Sequence, residues 1–86
     1  MTVTIFVADI PEFAPLLQAA RAQNGCAVRP PVRGYWRIEA AQAIEFSRKA
    51  MGLGAALWNS ALSGGFRGRI TQYDRNLMRI ESQPTP

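Results

Sequence analysis

The stretch WNSALSGGFRGRI, residues 58–70, holds the residue types best suited to binding an anion. Asn59 and Ser60 carry hydrogen-bond donors, Gly64 and Gly65 let backbone approach a ligand, and Arg67 and Arg69 occupy alternate positions. Alternate positions of a strand face the same way, and a planar guanidinium fork matches a carboxylate or phosphate. A plainer use of the same residues is that the glycines stop a helix and Arg69 pairs across a strand with Glu81. Arg67 has no such partner in the sequence pattern. The stretch is therefore expected to be first a helix stop and strand start with both arginines at the surface, and it is the first place to look for an anion site, with Arg48 or Lys49 as a second contributor.

Three further groupings compete with it. In RKAMGLG, residues 48–54, Arg48 and Lys49 with two glycines precede a helix start, where unpaired N–H groups and the helix dipole attract anions. The glycine spacing is not that of a phosphate-binding loop, and a tight strand-to-helix turn is the favoured account. Trp36 and Trp58, with Tyr35 and Tyr73, supply ring faces for a base or an aromatic ligand. At strand and helix spacing tryptophans belong to a core, although Trp58 falls at the edge of its apolar stripe. Finally, the outer face of a C-terminal hairpin carries Arg67, Arg69, Thr71, Tyr73 and Arg79. A basic face with an aromatic residue is what single-strand nucleic-acid binding uses, but no RNA-binding signature accompanies it.

The composition narrows the chemistry. The chain has no histidine, which removes imidazole bases, Cys–His nucleophile pairs and most zinc arrangements. Cys26 is the only cysteine, so no internal disulfide forms and a reducing cytoplasm is the expected compartment. The six carboxylates are scattered singly, and no oxygen cage for a metal is visible. No cofactor is expected. The formal charge is +4 and the isoelectric point about 10.2, which points to an anionic partner. Nine of the ten basic residues are arginines, spread singly among many alanines, a pattern that a GC-rich coding sequence produces without selection for binding.

These residues must be positioned by one small domain, since 86 residues make a single core. MTVTIFVADI lacks a basic start and is interrupted by threonine, so it reads as a strand and not as a leader or membrane span. Phe13, Leu16, Leu17 and Ala20 form one helical stripe, with Pro15 in the tolerant first turn and Asn24-Gly25 as the stop. Residues 25–33 read as a connector that Pro30-Pro31 keeps out of any central strand. In YWRIEAAQAIEFSR, pairing 38 with 44 and 36 with 46 merges two apolar faces and sets Arg37 opposite Glu45. In the last hairpin, pairing 73 with 77 sets Ile70 opposite Ile80, Arg69 opposite Glu81 and Thr71 opposite Arg79.

The expected fold is therefore a single α+β domain of order β-α-β-β-α-β-β over residues 1–81, with a flexible tail at 82–86. Strands are expected near 2–8, 34–39, 43–48, 66–73 and 77–81, and helices near 13–23 and 54–63, packed on one face of a mostly antiparallel sheet. A twofold homodimer is expected, because so small a sheet leaves edges, with Phe6, Trp58 and Met78 at its interface. Two functions remain: a non-enzymatic accessory module that binds a small anionic ligand, or a nucleic-acid-binding domain.

Overall fold

A computed structural model describes residues 2–83 of the chain. Its centre is β1 (Val3–Ala8), whose Val3, Ile5 and Val7 are no more than 1% exposed. A 3-10 turn at Pro11–Phe13 leads into α1 (Ala14–Ala22), which buries Phe13, Leu16, Leu17 and Ala20 as the stripe requires. The Asp9 carboxylate, just before this turn, accepts from Trp36 Nε1 at 2.9 Å.

After Gly25, with φ at +84°, the chain forms β2 (Cys26–Val32) and β3 (Tyr35–Ala40). Arg33 and Gly34 join them with φ of 56° and 85°, the two left-handed residues of a tight hairpin turn. The proline-rich connector is thus an additional strand. It lies at a sheet edge, the one place where prolines cost no ladder bond, and its register shifts between Arg29 and Val32.

The chain continues through β4 (Ala43–Ser47), the single turn α2 (Arg48–Met51), α3 (Ala55–Ser60), β5 (Phe66–Arg67), β6 (Arg69–Tyr73) and β7 (Leu77–Glu81). The fold is α+β, but the strands form two antiparallel sheets, ordered β2-β3-β1-β5 and β4-β7-β6. One core cluster draws on both sheets and on α1: Ile5 and Ile38 from one sheet, Ile44, Phe46, Met78 and Ile80 from the other, and Leu16, Leu17 and Ala20 from the helix. α1 packs against both β2 and β4. The radius of gyration is 11.9 Å, close to the roughly 12 Å that this length implies.

Two expected pairings are corrected. β3 and β4 do not form a hairpin: Ile38 pairs with Ile5 and Trp36 with Val7, while Ile44 pairs with Ile80 and Phe46 with Met78. Alternation specifies which face turns inward, and β1 and β7 offer the same alternation to different partners. Arg37 consequently meets Glu39, and Glu45 meets Arg79. In the last hairpin, Arg69 does face Glu81 and Ile70 faces Ile80, but the register then slips, so that Gln72 faces Arg79 and Tyr73 faces Met78. The slip falls at Thr71, and Asp74 closes the turn beyond it. Its carboxylate accepts from the N–H groups of Asn76 and Leu77, both at 2.8 Å, and its own N–H donates to the Leu77 carbonyl at 3.0 Å.

The strand expected at 66–73 is broken at Gly68, with φ at +137°, where the chain passes from one sheet to the other. The helix expected at 54–63 ends as α3 at Ser60 and continues as turns. Trp58 and Met78, expected at a dimer interface, are each 1% exposed inside the domain's own core. The outer edge of β4 is covered by Gln23, whose side-chain amide donates to the Glu45 carbonyl at 2.6 Å and accepts from its N–H at 3.2 Å. Ser82 N–H donates to the Gln42 carbonyl at 2.8 Å, so pairing runs one residue beyond β7. Positions 84–86 of the expected tail lie outside the described residues. Among the described residues no helix is long and apolar enough to cross a membrane.

Candidate functional site

The structure divides the residues of WNSALSGGFRGRI between scaffold and surface. Trp58 Nε1 donates to the Asp74 carbonyl at 2.8 Å, Tyr73 Oη donates to the Trp58 carbonyl at 3.0 Å, and the two rings meet edge to face. Asn59 is exposed, and the Ser60 hydroxyl donates back to the Leu57 carbonyl at 3.2 Å. Gly64 does not open backbone to a ligand. A Cβ there would lie 2.5 Å from the Phe6 carbonyl and 2.8 Å from the Tyr35 ring, so the glycine seats Tyr35. Gly65, with φ at +98°, accepts from Phe6 N–H at 3.0 Å. Arg67 and Arg69 are both exposed, but Gly68 sends them to different sheets and they form no clamp.

The second grouping is structural at Arg48. Its Nε donates to the Arg75 carbonyl at 2.5 Å and its Nη1 to the Leu53 carbonyl at 3.3 Å, tying α2 to the β6–β7 turn. Lys49 is exposed on that turn of helix. The tryptophan platform is not assembled. Trp36 turns to the inner row beside Val7, half-buried, with Arg21 5.5 Å above its ring.

What assembles instead is the outer face of the β2-β3-β1-β5 sheet. Residues opposed in an antiparallel ladder share a face. One row therefore runs Ala27, Glu39, Thr4, Arg67, the next Arg29, Arg37, Phe6, and the third Val32, Tyr35, Ala8. Glu39 accepts from Arg29 Nε at 2.9 Å and lies 3.5 Å from Arg37 Nε. The Arg29 hydrogen bond, opposed by burial and helped by the Arg37 and Arg29 charges, holds the Glu39 carboxyl below its ordinary value. Arg67 has no ion pair among the described residues. It lines an open groove of about 630 Å³ with Thr2, Thr4, Glu39, Phe66, Gly68 and Gln83. A smaller notch of about 210 Å³ lies between Phe6, Pro30, Val32, Tyr35 and Arg37.

The other sheet presents the opposite balance. Arg79 sits between Glu45 and Glu81, 3.0 Å from each, and Arg69 faces the same Glu81 across the ladder. Two arginines meet two carboxylates. Tyr73 lies in the inward row with Met78, so the basic aromatic face expected on the last hairpin does not form there. Sequence reasoning missed Arg29, Arg37 and Glu39 as surface partners of Phe6. The alternation in YWRIEA already places Tyr35, Arg37 and Glu39 on one face; without β2 and the β1–β3 pairing, nothing brings Arg29 and Phe6 to it.

Burial pushes the Cys26 thiol up from its ordinary value, which leaves it protonated and a poor nucleophile at neutral pH. Among the described residues no three metal-ligating side chains come together. The sequence matches no protein-family model and no curated protein.

Hydrogen bonds hold three carboxyls, Glu39, Asp74 and Glu81, below their ordinary values: to Glu39 from Arg29, to Asp74 from Gln72 and two backbone amides, and to Glu81 from Arg79. A proton therefore binds the unfolded chain first. The stability these groups add is fully present above their unfolded values near about 4 and is lost as pH falls through the lowered folded ones. The melting temperature is expected to stay level from neutrality to about pH 5 and to drop in acid. A fall that begins between pH 7 and 6 in thermal scans contradicts this assignment.

Proposed function

We propose that this chain is a small non-enzymatic binding module and that the outer face of the β2-β3-β1-β5 sheet takes an anionic group, a carboxylate or a phosphate. One observation supports it above the rest: this face carries three arginines to one carboxylate, whereas the other sheet's charges are matched. Arg67 is the primary contact. Its guanidinium stands over an open groove and has no internal partner to surrender. Glu39 holds Arg29 and Arg37 in place and also competes with any incoming anion for them. The cytoplasm is the compartment we propose, on the ground of the single cysteine.

A second reading is a twofold dimer over the same face, favoured by the exposed apolar side chains of Val32 and Tyr35 beside Phe6. Sedimentation at tens of micromolar separates a dimer from a monomer.

Thermal shift against inorganic phosphate and citrate tests the anion site. Arg67→Ala is expected to abolish the stabilisation, and Arg69→Ala to leave it. Glu39→Gln is expected to strengthen binding by about three- to tenfold, because it frees two guanidinium groups from one carboxylate. Its effect on stability is small, since exposed ion pairs contribute roughly 0–1 kcal/mol. Stabilisation that survives in Arg67→Ala but disappears in Arg69→Ala overturns the placement.

A further inference from the structure

We infer that the anion recognised by this face is the backbone of a short single strand of nucleic acid, whose bases stack on Phe6 and Tyr35. This rests on the anion-binding reading above and names its ligand class. A small carboxylate or phosphate occupies the groove at Arg67 and leaves the rest of the face unused. Tyr35 is 42% exposed and Val32 71% exposed, beside the half-buried Phe6. That aromatic ground lies directly beside the arginines: Phe6 shares its row with Arg29 and Arg37, and Tyr35 stands one row further along β3.

Rows on one face of a strand are about 7 Å apart, two residues at roughly 3.4 Å. Ring faces and guanidinium groups thus stand in the same or neighbouring rows, within the reach of successive bases and phosphates of an extended strand. A sheet of this width with aromatic residues on its central strands has room for about two or three bases. The notch between Phe6, Pro30, Val32, Tyr35 and Arg37 presents rings with a cation at the rim, the combination that favours stacking irrespective of base identity. The platform is held in place. Gly64 leaves no space between itself and the Tyr35 ring, and the ring is pressed there across β1.

A duplex hides its base faces and does not fit this mode. An acidic peptide satisfies the arginines but brings no planar face for the rings. A second copy of the chain covers the apolar residues but brings arginines against arginines in a twofold arrangement. Charge and aromatic surface together favour the single strand.

The test uses the full chain with a fluorescein-labelled eight-nucleotide single strand, the matching duplex and a polyglutamate of equal charge, read by fluorescence anisotropy in low salt. The single strand is expected to bind at least tenfold more tightly than either control. Tyr35→Ala is expected to weaken it about tenfold. Arg67→Ala is expected to lower the slope of log K against log salt by about 0.7, and Arg69→Ala to leave the affinity unchanged. Should Tyr35→Ala fail to fold, the unaltered chain answers: the ring protons of Phe6 and Tyr35 move upfield as the strand is added.

Polyglutamate or duplex binding as tightly as the single strand overturns this inference, as does an absence of ring shifts. So does a dimer that buries the face and dissociates in Val32→Asp. If Arg67-dependent stabilisation by inorganic phosphate persists in those cases, the anion-binding reading stands without the nucleic acid. If inorganic phosphate gives no Arg67-dependent stabilisation either, both fall.

Discussion

Trp58→Ala is expected to cost about 3–5 kcal/mol, the range for truncating a large buried aromatic side chain. The residue is 1% exposed and is among the largest side chains in the core. It also joins elements that little else connects: its indole N–H holds the Asp74 carbonyl, and its own carbonyl receives the Tyr73 hydroxyl. Truncation leaves a cavity beneath α3 and an unpaired carbonyl in the β6–β7 turn. A domain of this length has roughly 4–13 kcal/mol in total, so the melting temperature is expected to fall by roughly 15–35 °C. Trp58→Phe separates the two effects, because it keeps most of the volume and loses only the donor, at about 1–3 kcal/mol. Circular dichroism melts of the three proteins check this. A change under 1 kcal/mol in Trp58→Ala contradicts the packing described.

Gly68→Ala is expected to be nearly as severe, at about 2–5 kcal/mol from the sum of backbone strain and overpacking. At Gly68 φ is +137°, and an added Cβ would lie 2.8 Å from the Glu81 carbonyl and 2.9 Å from an Ile80 methyl. Neither neighbour can give way, because Ile80 is fully buried and Glu81 pairs on both sides, with Ala43 and with Arg69. Gly25→Ala is the control. Its φ is +84° but nothing lies within 4 Å of the added atom, so it shows the backbone cost alone, about 1–2 kcal/mol. Equal losses at the two positions in urea unfolding mean that Gly68 does not hold the sheets together by close approach.

The contrast between these two glycines explains much of what the sequence reveals and conceals. Local pattern was sufficient for α1, where spacing, Pro15 and Asn24-Gly25 agree, and for the inward faces of β1, β3, β4 and β7. It was insufficient for partners. Ile38 and Ile44 alternate in phase, and a hairpin between them satisfies every local rule, yet each strand pairs with a distant segment. That choice is decided by the core that two sheets enclose, which no window of a dozen residues contains. Gly68 reads locally as an ordinary strand glycine, and its role appears only when Val3, Ile80 and Glu81 surround it.

The candidate site followed the same division. In the expected hairpin register Arg67 faces no carboxylate; in the structure it leaves that hairpin for β5 and faces Thr4 of β1. A continuous strand over 66–73 would make Arg69 its companion, but the break at Gly68 puts the two arginines in different sheets. Phe6, expected at a dimer interface, is half-buried on the outer face of β1, and its neighbours Arg29 and Arg37 come from β2 and β3. Proline concealed β2: Pro30-Pro31 excludes a central strand, and the structure answers with an edge.

The central claim is that the β2-β3-β1-β5 face, and not the last hairpin, is where an anion binds. Titrating the isotopically labelled chain with inorganic phosphate, followed by amide and arginine Nε resonances, tests it most directly. The account predicts saturable shifts at Thr4, Arg37, Glu39 and the Arg67 side chain, with Arg69 and Arg79 unmoved. Shifts confined to Arg69, Thr71 and Arg79, or no saturable shift anywhere on the β2-β3-β1-β5 face, would contradict it.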